Sequence, residues 1–111
     1  MGDDASDRVY EVAADLFSLL STPTRLRIVC ELCGGERTVG DLLERVAVSQ
    51  PNMSQHLGML YRGGVLGRRR AGSQVYYRIV SERVLLLCDA VCGEQGRQDA
   101  DVAARPRRVN D

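Results

Sequence analysis

Four cysteines carry the most reactive chemistry in this 111-residue chain, and their spacing sorts them into two pairs. Cys30-Glu-Leu-Cys33 falls in the stretch RLRIVCELCG, while Cys88 and Cys92 lie near the end of the patterned sequence. Three chemistries suit such pairs. A thiolate attacks sulfane sulfur or a disulfide, and a second thiol within reach closes a bridge. Thiolates also hold soft ions such as arsenite, antimonite, mercury, cadmium or zinc. Cysteine can equally pack as a small hydrophobe, which is the expectation for Cys33 taken singly. Spacings of three and four place each pair on one helix face, so packing the two helices together would gather three or four thiols from Cys30, Cys33, Cys88 and Cys92. A thiol oxidoreductase is the competing reading from another class. Its two-cysteine motif should follow a strand and open a helix, whereas here the motif closes one. The single histidine gives no Ser-His-Asp set, and no phosphate-binding glycine loop is present, so an enzyme is not expected.

The elements that must position these thiols follow from periodicity and caps. Val9, Val12, Ala13, Leu16, Phe17 and Leu20 form one apolar stripe, which predicts a first helix. Ser21 or Thr22 caps a second that starts at Pro23, carries Leu26, Val29, Cys30 and Cys33 on one stripe, and stops at Gly34-Gly35. Thr38-Val-Gly-Asp41 reads as a capping box opening a short third helix through Leu42, Leu43 and Val46. Ser49-Gln-Pro51 opens a fourth, with Met53, Leu57 and Leu60 inward and Gly63-Gly64 at its end. The pattern then changes to Val65–Arg70 and Gln74–Val80 around Ala71-Gly72-Ser73, a β-hairpin. Ser81 caps a fifth helix through Val84, Leu85, Leu87, Cys88, Val91 and Cys92. The predicted fold is mainly α with a hairpin wing, a dimeric winged helix-turn-helix of order α-α-α-α-β-β-α. Residues 1–93 form that domain, and 94–111 are read as a disordered polar tail.

Charge points to the partner. The chain is neutral overall, with 15 basic and 15 acidic residues. Between Val46 and Ser81, however, there is no Asp or Glu, while Arg62, Arg68, Arg69, Arg70 and Arg78 all fall there. A middle third that is basic in a neutral chain presents a phosphate-binding face. A helix-turn-helix lays the N-terminal part of its second helix in the DNA major groove. On that helix the polar face begins with Ser49, Gln50 and Asn52 and continues with Ser54, Gln55 and His56, side chains able to read base edges or reach phosphates. His56 is read as a DNA donor or a solvated residue rather than a metal ligand. Arg68, Arg69 and Arg70 alternate faces on a strand, so at most two reach the same side and one is structural or solvated. The acidic N-terminus MGDDASDRVYE lacks the layout of a secretory signal, and no apolar run approaches the roughly eighteen residues of a membrane span. A cytoplasmic protein that does not use the membrane is expected. Reductants in that compartment argue against a permanent disulfide framework.

From about Arg8 to Cys92 the sequence resembles the ArsR/SmtB family of small dimeric bacterial repressors, most specifically in VSQPNMSQHLGML. The resemblance implies a homodimer joined through helices one and five, reading an inverted repeat in double-stranded operator DNA. It assigns Gln50, Asn52, Ser54, Gln55 and His56 to the reading face, and Arg68 to Arg70, Ser73 and Gln74 to the wing. Pro51 stands where other members carry a hydroxyl residue. Inducer sites differ within the family. The segment TVGDL lacks the thiols of members that sense lead, cadmium or arsenite through helix three, and helix five lacks the Asp and His set of zinc sensors. Cys30 matches the first cysteine of the persulfide-responsive BigR/SqrR-like group, and Cys92 stands for the second. The resemblance thus implies a repressor that needs no cofactor and releases DNA when cysteines of helices two and five react with sulfur or oxidant. Induction by a thiolate-bound soft metal or metalloid is the alternative.

Overall fold

Hydroxyl caps decide where most of the helices begin. Thr22 accepts from the Arg25 amide and Pro23 follows at the first helical position, Ser49 accepts from Asn52, and Ser81 accepts from Val84. Each satisfies an amide that the helix itself leaves unpaired. The structure, a computed structural model, describes residues 4–93, so the expected tail at 94–111 lies outside the described residues. In chain order the elements are α1 (Asp4–Leu19), α2 (Pro23–Leu32), β1 (Arg37–Thr38), α3 (Val39–Arg45), α4 (Gln50–Arg62), β2 (Leu66–Ala71), β3 (Gln74–Ile79) and α5 (Glu82–Cys92). This is a winged helix-turn-helix.

Thr38 and Asp41 form the expected capping box, the Thr38 hydroxyl accepting from the Asp41 amide and the Asp41 carboxylate from the Thr38 amide. The hairpin pairs Leu66 with Ile79 through Ala71 with Gln74, and Gly72 turns the corner at a φ of 67°, a conformation that suits a residue without Cβ. The sheet also holds a strand that the sequence pattern does not announce. β1 pairs antiparallel with β3 through Arg37 opposite Tyr77 and Thr38 opposite Tyr76, giving the order β1-β3-β2.

The core gathers Ile28, Val29 and Leu32 from α2, Leu42 and Val46, then Met53, Leu57 and Leu60 from α4, with Val65, Leu66, Tyr77, Val84 and Cys88 closing it. Two expectations shift. On α2 the buried residues are Ile28, Val29 and Leu32, while Leu26 is 43% exposed. The helix is apolar on more than one side, and the core takes the side next to α3 and β3. Along α1 and the residue after it the predicted stripe exists, but among the described residues only Leu16, Leu19 and Leu20 pack on the core. Val9, Val12 and Phe17 are exposed, as are Leu86 and Val91 of α5. One chain therefore leaves an apolar face unpartnered on these two helices.

Candidate functional site

Helix α4, the expected reading helix, is anchored by one face and offers the other. Met53, Leu57 and Leu60 are sealed in the core, and helical geometry turns Gln50, Asn52, Ser54 and Gln55 to solvent, where all four are exposed. Ser49 is exposed too, its oxygen accepting the Asn52 amide at 3.3 Å. His56 stands apart from this group. It is half-buried against α2, where its Nδ1 accepts from Arg25 Nε at 3.3 Å. Arg25 Nη1 donates in turn to the Leu19 carbonyl at 3.0 Å, at the end of α1. Burial, and then the Arg25 charge, hold the His56 pKa below the ordinary imidazole value.

The three wing arginines have three different surroundings. Arg68 stacks its guanidinium 4.1 Å from the ring centroid of Tyr61 on α4, tying the wing to the reading helix. Arg69 forks onto the Glu36 carboxylate at 2.7 and 2.9 Å and lies over Tyr76. That hydrogen bond, more than the Arg69 and Arg78 charges, pulls the Glu36 pKa below the carboxylate range despite some desolvation. Arg70 is exposed and makes no polar contact among the described residues. Ser73 and Gln74 are exposed at the hairpin tip.

The described thiols belong to α2, its C-cap and α5. Cys33, at the C-cap of α2, is disulfide-bonded to Cys88 of α5, with their Cα atoms 6.6 Å apart. Cys33, expected to pack, is thus covalently joined to the helix it packs against. Cys88 Sγ also lies 3.6 Å from the Val29 carbonyl, to which an S–H can donate once the bridge is open. Cys30 is disulfide-bonded as well, while the side chain of Cys92 lies outside the described residues. An apolar cavity of about 330 Å³ adjoins Cys30 and Cys88, with Phe17, Leu26, Leu87 and Val91 among its walls. Among the described residues, no group of three or more His, Cys, Asp or Glu is placed to hold a metal ion.

Arg25, Glu36 and Tyr61 are the site residues that pattern reading passed over. Arg25 and Glu36 act through partners thirty-one and thirty-three residues away, and Tyr61 through Arg68 across the turn into the hairpin, so no helix or strand period marks these pairings. Among the described residues no helix is long and apolar enough to cross a membrane.

Comparison with known proteins agrees with this architecture. Residues 22–66 match the model of the arsR family of bacterial regulatory proteins. The biofilm growth-associated repressor of Xylella fastidiosa is 38% identical over 89 residues, covering 80% of this chain and 77% of the relative. The crystal structure of the transcriptional repressor BigR from Xylella fastidiosa superposes with a TM-score of 0.72 at 36% identity, covering 82% of this chain and 92% of that one. The homodimeric winged helix-turn-helix domain of Mb0332 from Mycobacterium bovis gives 0.74 at 27% identity, covering 98% and 100%.

Proposed function

The chain belongs to the ArsR family of bacterial regulatory proteins, and we propose that it is a cytoplasmic, homodimeric transcriptional repressor whose α2 and α5 thiols sense reactive sulfur or oxidant. With its thiols free it binds an inverted repeat in double-stranded DNA, α4 in the major groove and Arg70 on the backbone. Sulfur chemistry between α2 and α5 then releases the operator.

The observation that carries this reading is the Cys33–Cys88 bridge, because it sets α2 and α5 at the separation that thiol chemistry needs. A thiolate attacks the outer sulfur of a hydropersulfide RS–SH, forming Cys–S–SH and releasing RS⁻. The second thiol displaces HS⁻ from that persulfide, leaving a disulfide and hydrogen sulfide. Hydrogen peroxide gives the same bridge with two waters as products. We assign the initiating step to Cys30 with Cys92 as its partner, following the family resemblance. The exposed apolar face of α1 and α5 supports a dimer across it, so a change between α2 and α5 reaches the geometry between two reading heads. A coupling of about 3 kcal/mol changes operator affinity on the order of a hundredfold.

The test selects DNA from a random-sequence library with the reduced protein, then follows binding by fluorescence anisotropy while intact mass is recorded after glutathione persulfide. Arsenite and mercury form separate arms. Sulfur-linked mass changes that accompany release, reversed by dithiothreitol, are expected, and Cys30→Ser should bind DNA but ignore the persulfide. Equal binding before and after sulfuration, or normal release of Cys30→Ser, overturns the proposal. Release by arsenite or mercury alone transfers the same thiols to a soft-ion mechanism.

A further inference from the structure

Among the described residues of the polar face of α4, His56 is the one whose side chain is hydrogen-bonded to α2. Its Nδ1 accepts a hydrogen bond and therefore carries no proton, so the neutral ring is the Nε2–H tautomer. Nε2 finds no protein partner among the described residues, yet it is not sealed away from solvent. We infer that Arg25 is a positioning residue for DNA recognition: it fixes His56 as a neutral Nε2–H donor toward the operator and fastens that donor to the end of α1 through the Leu19 carbonyl. This rests on the repressor reading and adds to it a residue remote from the DNA-facing surface.

The chemistry follows from what each atom can offer. A guanidinium only donates, so the nitrogen facing it must present a lone pair. Protonating that nitrogen would break the bond and set an imidazolium against Arg25, the charged group that faces the ring from α2. Burial and that charge both act in this direction. A ring without this partner would exchange between tautomers and offer DNA an acceptor part of the time. Because Arg25 also grips the C-terminal end of α1, the helix that carries the unpartnered apolar face, a shift of α1 against α2 is felt at His56.

Nitrogen-15 shifts of the His56 ring, the only histidine in the 111 residues, read the tautomer in the reduced protein without DNA. The Nε2–H form is expected in the wild type, and a mixture in Arg25→Gln. Operator affinity should fall about tenfold in Arg25→Gln and in His56→Ala, with no further loss in the double variant, because the two act as one unit. The pH profile separates positioning from simple support. Gain of binding on acidification should begin at a higher pH in Arg25→Gln than in the wild type, because the Arg25 charge is gone while burial of the ring remains. Arg25→Met, which keeps an apolar stem against the ring but offers no donor, should behave like Arg25→Gln in tautomer. A wild-type ring protonated at Nδ1, additive losses in the double variant, or coincident pH profiles overturn the inference. A protein that holds the Nε2–H tautomer but selects no DNA keeps the positioning geometry and counts against the repressor reading instead.

Discussion

Replacing Glu36 by Gln should make DNA binding tighter at low salt and steeper in its salt dependence. In the protein as it stands, Arg69 is occupied by a bidentate carboxylate at 2.7 and 2.9 Å, whereas Arg70 beside it is free of polar contacts among the described residues. The Arg69 hydrogen bond holds the Glu36 pKa below the carboxylate range, so the pair stays ionised through neutral pH and pH changes there do not release the arginine. An amide removes the charge that competes with phosphate. Each phosphate neutralised contributes about 0.9 to the slope of log affinity against log salt, so one added contact per protomer steepens the slope of a dimer by about 1.8. Between 50 and 200 mM salt that is about a twelvefold greater loss of affinity than the wild type suffers. Anisotropy titrations on the selected operator at four or five salt concentrations read it directly. Loss of the Glu36 charge alone would also favour DNA, and the Glu36→Gln/Arg69→Ala double variant isolates that effect. An unchanged slope in Glu36→Gln, or a steepened slope that survives in the double variant, refutes the argument that Arg69 is held in reserve. In the same assay Arg70→Ala should lower the slope by about 1.8.

The packing makes further predictions. Leu57→Ala empties a site that is 1% exposed and should cost about 2–5 kcal/mol, seen as a lower urea midpoint with an unchanged m-value. Thr38→Ala removes the hydroxyl of the capping box and should cost about 1 kcal/mol by the same measurement. Valine at Gly72 would have to take up a φ of 67°, so Gly72→Val should lose about 1–2 kcal/mol, again by urea titration. Phe17→Glu combined with Leu86→Glu places charge on the unpartnered apolar face, where those residues are 60% and 71% exposed. Sedimentation velocity should report a folded monomer with weakened operator binding.

Much of the architecture was legible because it is local. Five helices and the hairpin follow from residues three, four or two apart and from caps adjacent to them, and the Thr38-to-Asp41 box can be read letter by letter. β1 could not be read, since a two-residue strand has no period and exists only through its pairing with Tyr76 and Tyr77. The side of α2 that enters the core was misjudged because Leu26, Ile28, Val29 and Leu32 surround much of the helix, and only tertiary packing selects among them. The polar face of α4 was visible as a face. That His56 turns back to Arg25, and that Arg69 belongs to Glu36, depend on partners thirty-one and thirty-three residues away.

Thr38 is the last residue of β1 and also the N-cap of α3, so one side chain serves the sheet and the helix-turn-helix together. Arg68 on Tyr61 adds a second tie between hairpin and α4. Wing and reading helix consequently share their degrees of freedom: neither can tilt without carrying the other. In the dimeric repressor proposed above, a chemical event between α2 and α5 would then have little scope to distort one half of the DNA footprint and would act on the spacing between the two halves. For such a protein the discriminating variable on the DNA is the number of base pairs between half-sites, and sensitivity to the signal should vary with that number more than with the bases themselves.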